Sequence, residues 1–197
     1  LYSSAASDVY KRQDFTRGEL ENLNEAELEA VIAAAHDNSN EARLVLGRLL
    51  IEGTSEKIPK NEKKGFNWVK EASKNGHLGA LEYRTYYEIR YDKQPNMKKL
   101  LTNLETIVEK TKSTRAFNML GEFNQVQDKK EGSKEEAAKY YSKSADEGCQ
   151  IGIHWMGVFY HLGFGVPKNL PKAVELLTKS AKTGNGQSCY QLAILYI

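Results

Sequence analysis

The sequence predicts an all-α fold, a solenoid of stacked antiparallel helix pairs. Three observations carry that prediction. A unit of 36 residues recurs, two columns inside it stay small in every copy, and most copies close on glycine. The stretch KEEAAKYYSKSADEG, ending at Gly148, superposes on LPKAVELLTKSAKTG, ending at Gly184. Ala137 then meets Ala173, Tyr140 meets Leu176, and Ser144 and Ala145 meet Ser180 and Ala181. An earlier stretch ending at Gly76 supplies Gly65, Trp68, Ala72 and Ser73 at the same offsets. With boundaries at Asn38, Gly76, Lys112, Gly148 and Gly184, one column reads Ala42, Ala80, Ala116, Gly152, Ser188. A second reads Gly47, Thr85, Gly121, Gly157, Ala193.

Each element follows from the unit. Two apolar-periodic segments of about 12 residues make two helices of about 18 Å each. Ser133 with Glu136 three residues later reads as a capping box. Asn169 just before Pro171 marks another helix start. Gly76, Gly148 and Gly184 suit the left-handed residue that ends a helix. Asn38 also tolerates that conformation, whereas Lys112 does not, so an irregular boundary is expected there. A glycine inside a helix costs about 1 kcal/mol relative to alanine. Its recurrence at Gly47, Gly121 and Gly157 therefore predicts helices pressed close together. One helix pair cannot bury its own apolar face, so the pairs must stack.

Composition narrows the class further. Over 197 residues Lys plus Arg is 28 and Asp plus Glu is 26, a formal charge of +2. That balance argues against nucleic acid or a membrane surface as partner. The longest apolar runs, such as residues 30–35, fall far short of the roughly 20 residues that cross a bilayer, so no membrane insertion is expected. Cys149 and Cys189 stand 40 apart with no CxxC, which suits neither a disulfide scaffold nor zinc. No Asn-x-Ser/Thr sequon occurs, and the default expectation is an intracellular, cytoplasmic location. The chain begins with Leu and stops inside a helical pattern, so it reads as a fragment. Residues 1–20, opening with LYSSAASDVYKRQ, read as a non-native or disordered leader, and residues 21–197 as the repeat array.

The columns resemble the Sel-1-like repeat family, relatives of the tetratricopeptide repeats. The best match is 149–184, through Met156, Gly157, Tyr160, Gly163, Gly165, Val166, Pro167, Lys172, Ala173, Ser180 and Ala181 to Gly184. Residues 39–76 match through Leu46, Gly47, Gly53, Ile58, Pro59, Lys60, Trp68, Ala72 and Gly76, with an inter-helix loop two residues longer. Residues 113–148 match in the second helix. Residues 77–112 hold the register but carry Arg84 and Thr85 where the family has Leu-Gly. Residues 22–38 resemble a second helix and 185–197 a first helix of flanking repeats. The resemblance implies a right-handed superhelix that scaffolds other proteins and has no catalysis or cofactor. The alternative it leaves open is a non-catalytic, substrate-binding arm of a larger assembly such as a ubiquitin ligase or kinase complex. The disulfide-bonded branch carries a cysteine pair in each repeat, and this chain lacks those pairs.

No catalytic motif competes with that reading. The chain holds no Gly-x-Ser-x-Gly elbow and no His-Glu-x-x-His. His154 and His161 lie two turns apart, roughly 10 Å, too far to share one metal. His36 and His77 fall at repeat boundaries and read as turn or cap residues. The lysines between Lys57 and Lys74 alternate with Glu56, Glu62 and Glu71 and read as a solvated convex face. Tyr83 and Tyr87, four apart, are expected in the core, with Tyr86 outward. By analogy with tetratricopeptide stacks, the first helix of each unit lines the concave surface. The outward positions are Arg48, Glu82, Tyr86, Arg115, Asn118, Glu122, Gln125, His154, His161 and Tyr190. Leu44, Ile51, Ile89, Ile151, Val158 and Ile194 share the strip. Such a strip suits an extended peptide or a helix of a partner protein, anchored by Arg and Tyr.

Overall fold

The computed structural model describes Leu20, residues 22–126 and residues 131–196. The leader expected over 1–20 lies outside the described residues except for Leu20, which is fully buried. All regular structure among the described residues is helical: α1 (Glu25–His36), α2 (Asn40–Glu52), α3 (Glu62–Lys74), α4 (Leu78–Tyr91), α5 (Met97–Lys110), α6 (Thr114–Val126), α7 (Ser133–Asp146), α8 (Gln150–Leu162), α9 (Leu170–Ala181) and α10 (Gly186–Leu195). The chain divides into two compact units, with the break inside α5 between Asn103 and Leu104.

In the first unit, α2 and α3 run antiparallel. Asn75, capping the end of α3, donates its amide to Asn40 at the start of α2 (2.9 Å), while Gly65 near the start of α3 faces Leu50 and Ile51 near the end of α2. The small columns set this spacing. A Cβ added at Gly47 would lie 2.6 Å from Val69 Cγ2, and one at Gly65 would lie 2.5 Å from the Gly47 carbonyl oxygen. Leu20, Val31, Leu46, Leu49 and Ile58 close one core between α1 and α2. Leu44, Ile51, Val69 and Ala80 close the next, with Phe66, Tyr83 and Tyr87 packed against it. Tyr83 and Tyr87, expected in the core, are half-buried at its edge.

In the second unit the same device recurs. A Cβ at Gly121 would meet the Tyr141 ring at 2.8 Å, and one at Gly157 would meet Leu177 Cγ at 2.7 Å. Gly152 presses on the last turn of α7, where a Cβ would lie 2.5 Å from the Ala145 amide nitrogen. Ala116 and Ser188 are fully buried. Ala193, the fifth member of the second column, is exposed. Tyr141, Met156 and Phe159 form the core of this unit, flanked by Trp155, Tyr160 and Phe164.

The boundaries follow the backbone chemistry. Asn38, Gly76, Gly148 and Gly184 all take positive φ, at 68°, 84°, 80° and 89°. Lys112 does not, and α5 passes to α6 through a link of three residues. The loop joining α2 to α3 is two residues longer than that joining α8 to α9, as the alignment required. Asn169 caps α9 by accepting from the Lys172 amide at 3.1 Å. The box expected at Ser133 is a correction: Gly132 is the N-cap, in the left-handed region, and Ser133 is already the first helical residue. A true capping box forms instead at Asn24 with Glu27.

Candidate protein-interaction surface

The first helices α2, α4, α6, α8 and α10 carry the strip expected to meet a partner. In the first unit its centre is an ion pair with an aromatic roof. Arg48 Nε donates to Glu52 Oε1 at 3.1 Å, four residues on. The Arg48 guanidinium lies 5.5 Å from the Tyr83 ring centre, and the Tyr83 hydroxyl donates to the same Glu52 oxygen at 3.1 Å. Burial, and then the Glu52 carboxylate, push the Tyr83 phenol well above its usual range. Tyr86 is half-buried, with Arg90 5.6 Å from its ring centre, and Glu82 is also half-buried. Sequence reasoning named Arg48, Glu82 and Tyr86 for the strip, did not name Glu52 and placed Tyr83 only in the core. The signal for Glu52 was present, because Arg48 and Glu52 share one helix face. Leu44 and Ile51, expected on the strip, are buried between helices instead.

In the second unit Arg115 and Glu122 are exposed on α6, with Asn118 and Gln125 half-buried beside them. The Tyr141 hydroxyl reaches out from the core to donate to Gln125 Oε1 at 3.3 Å. Asn118 donates its amide to the Cys149 sulfur at 3.3 Å. Tyr190 is exposed, as are Ile151 and Ile194, whereas Val158 is buried. His161 is half-buried. His154 corrects the expectation. It is only 5% exposed, and its Nδ1 lies 2.7 Å from the Ser188 hydroxyl. The reason is geometric: His154 sits on the flank of α8 that meets α10, so its ring fills the seam between successive first helices. His77 behaves as expected and caps α4, its Nδ1 accepting from the Ala80 amide at 3.0 Å.

The other candidates find ordinary partners. Lys57, Lys60, Lys63, Lys64, Lys70 and Lys74 are all exposed, and Lys60 and Lys74 pair with Glu62 and Glu71 at 2.7 and 2.8 Å. Each pairing holds the carboxylate below its usual range. Cys149 and Cys189 are both free thiols. Among the described residues, no group of three or more His, Cys, Asp or Glu is placed to hold a metal, and no helix is long and apolar enough to cross a membrane.

Successive antiparallel hairpins with small residues at their contacts define an α-helical repeat protein. Three segments, residues 40–77, 118–149 and 151–185, match the family model of the Sel1 repeat and together cover more than half of the chain. The chain belongs to the Sel1 repeat family. Its fold is similar to that of c5321, a protective antigen of uropathogenic Escherichia coli strains displaying an SLR fold (24% identity, TM-score 0.75, 89% of this chain and 36% of that one). It is similar too to a Sel1 repeat protein from Oxalobacter formigenes (24% identity, TM-score 0.73, 87% of this chain and 70% of that one). The chain thus spans about a third of the length of the Escherichia coli antigen. No curated protein matches the chain.

Proposed function

We propose that the chain is a non-catalytic scaffold whose first helices present a recognition strip to a peptide or helix of a partner protein. One observation carries this reading. Gly47, Gly121, Gly152 and Gly157 on the first helices press against neighbouring helices while Arg115, Glu122 and Tyr190 remain exposed. Exposed Arg and Tyr side chains on a rigid frame are the usual anchors of protein recognition. The Arg48–Glu52–Tyr83 cluster has its side chains already ordered, which lowers the entropy cost of binding. Membership of a family of protein-interaction repeats supports the same reading.

The test is an affinity purification with mass spectrometry that compares wild type with Arg115→Glu and, separately, Tyr86→Ala. A partner that uses the strip is depleted several-fold on one variant or both while thermal unfolding is unchanged. An identical partner set on wild type and both folded variants removes the strip from recognition.

A further inference from the structure

We propose that α10 is an acid-released helix: protonation of His154 undocks it from α8 and α9 and withdraws Tyr190 from the proposed strip. The withdrawal rests on the strip reading above, whereas the release stands on the seam itself.

The seam is a buried polar chain across three helices. His154 on α8 is only 5% exposed, and its Nδ1 lies 2.7 Å from the Ser188 hydroxyl on α10. Ser188 Oγ lies 2.8 Å from Ser180 Oγ on α9, and both serines are fully buried. Ser188 is the one buried residue of α10, whose Tyr190 and Ile194 are 66% and 41% exposed. The helix is therefore held most firmly where it touches the imidazole. Its neighbours are clamped differently. Gly157 on α8 receives Leu177 of α9, and Met156 and Phe159 of α8 pack on Tyr141 of α7.

A protonated imidazole in this seam needs a counter-charge, because burial penalises the charged form. Among the described residues none is supplied. The segment α10 holds no Asp, Glu, Lys or Arg, and its two titratable side chains, Cys189 and Tyr190, are exposed. From α9 the seam receives Ser180, and Glu175, Lys179 and Lys182 around it are exposed. Helices α6 and α7 meet α8 through Asn118 and Ser144. Their Arg115, Glu122, Lys143 and Asp146 are exposed, and Tyr141 turns its hydroxyl to Gln125. On α8 itself Trp155 meets the ring edge-on at 5.5 Å, and His161 lies two turns away. Burial alone acts on the imidazole and lowers its pKa. The least costly way to hydrate the imidazolium is to move α10, since opening α8 from α7 would expose the aromatic core. The opened form binds its proton near the ordinary 6.5, the docked form only below it. The opened population therefore rises as pH falls through about 6.5 and levels off below the docked value.

Hydrogen–deuterium exchange read by mass spectrometry tests this at pH 7.5 and 5.5, corrected for the intrinsic pH dependence of exchange. Peptides of α10 are expected to lose protection up to about ten-fold at the lower pH, while α7 keeps its protection. His154→Gln keeps the side chain neutral and should abolish the response. An equal loss on α10 in the folded variant overturns the proposal, as does a loss shared by α7, which reports global unfolding. The wild type supplies a second measurement. The His154 ring resonance should titrate over the same pH range as α10 exchange, and a separate midpoint overturns the proposal even where the variant unfolds. Neither readout involves a partner, so failure of the strip reading leaves both unchanged.

Discussion

His154 Nδ1 lies 2.7 Å from the Ser188 hydroxyl, which in turn donates to Ser180 Oγ at 2.8 Å. The direction of the His154–Ser188 bond follows the imidazole tautomer. The chain runs through three buried residues on α8, α10 and α9. Burial lowers the His154 pKa below the ordinary 6.5. His77 shifts the same way, lowered by burial and only partly restored by Glu41. Between the folded and unfolded values the unfolded chain binds more protons, so stability rises with pH. It should fall as pH drops below about 6.5 and level off below the folded values. The carboxylates of Glu62 and Glu71 contribute only at lower pH, because their lysine partners hold them below the usual carboxylate range. Thermal melts between pH 7.5 and 5 check this. His154→Asn should flatten the decline, and an equal decline in wild type and variant would place the titrating group elsewhere.

Gly47 should tolerate no side chain. A Cβ there meets Val69 Cγ2 at 2.6 Å and the Gly65 carbonyl oxygen at 2.9 Å, and the oxygen belongs to a rigid helix. Alanine gains about 1 kcal/mol in helix propensity, but overpacking costs about 1–3 kcal/mol. The carbonyl clash puts Gly47→Ala at the upper end, for a net loss of about 1–2 kcal/mol in urea unfolding. Gly186→Ala is the control, because nothing lies within 4 Å of its Cβ. It should leave stability unchanged or raise it slightly.

Asn169→Ala should cost about 1 kcal/mol, the usual loss of an N-cap. Its Oδ1 accepts from the Lys172 amide at 3.1 Å, while its own N–H donates to the Tyr160 carbonyl at 2.8 Å and survives the substitution. Asn169→Asp keeps the acceptor and should retain wild-type stability. Equal losses in the two variants would show that the cap is not what the side chain supplies.

The packing was legible in the sequence because it is written in absences. A missing Cβ at Gly47, Gly121 or Gly157 is a demand on the neighbouring helix, and Val69, Tyr141 and Leu177 meet it. Helix ends at Gly76, Gly148 and Gly184 were legible for the same reason, since a positive φ nearly names its residue. Caps were less so: Ser133 fits the capping pattern, yet Gly132 turns the chain one residue earlier. The expected strip was read unevenly. A period of 3.6 residues places a side chain on a face but does not say how wide the neighbouring helix is. That is why His154, Leu44 and Ile51 passed for surface residues while α10 and α4 cover them. The Arg48–Tyr83 contact joins two repeats and has no local signature at all.

The divergent repeat supplies the last prediction. At the position where Leu46, Leu120 and Met156 pack, Arg84 is only 9% exposed. Its Nε donates to Glu88 Oε1 at 2.7 Å, and another guanidinium nitrogen donates to Ser73 Oγ at 3.2 Å. Beside it, Thr85 replaces the usual glycine and accepts from the Asn103 amide at 3.2 Å. A polar contact has thus replaced glycine against an apolar side chain. Removing one member of a largely buried ion pair strands the other, whereas removing both is often nearly neutral. Arg84→Leu should therefore lose about 1–3 kcal/mol, with the Glu88 carboxylate left without its partner. Adding Glu88→Gln should recover most of that loss, so the four proteins of the cycle show a coupling of at least about 1 kcal/mol. Urea unfolding of all four measures it. Strict additivity would mean that Arg84 and Glu88 act independently.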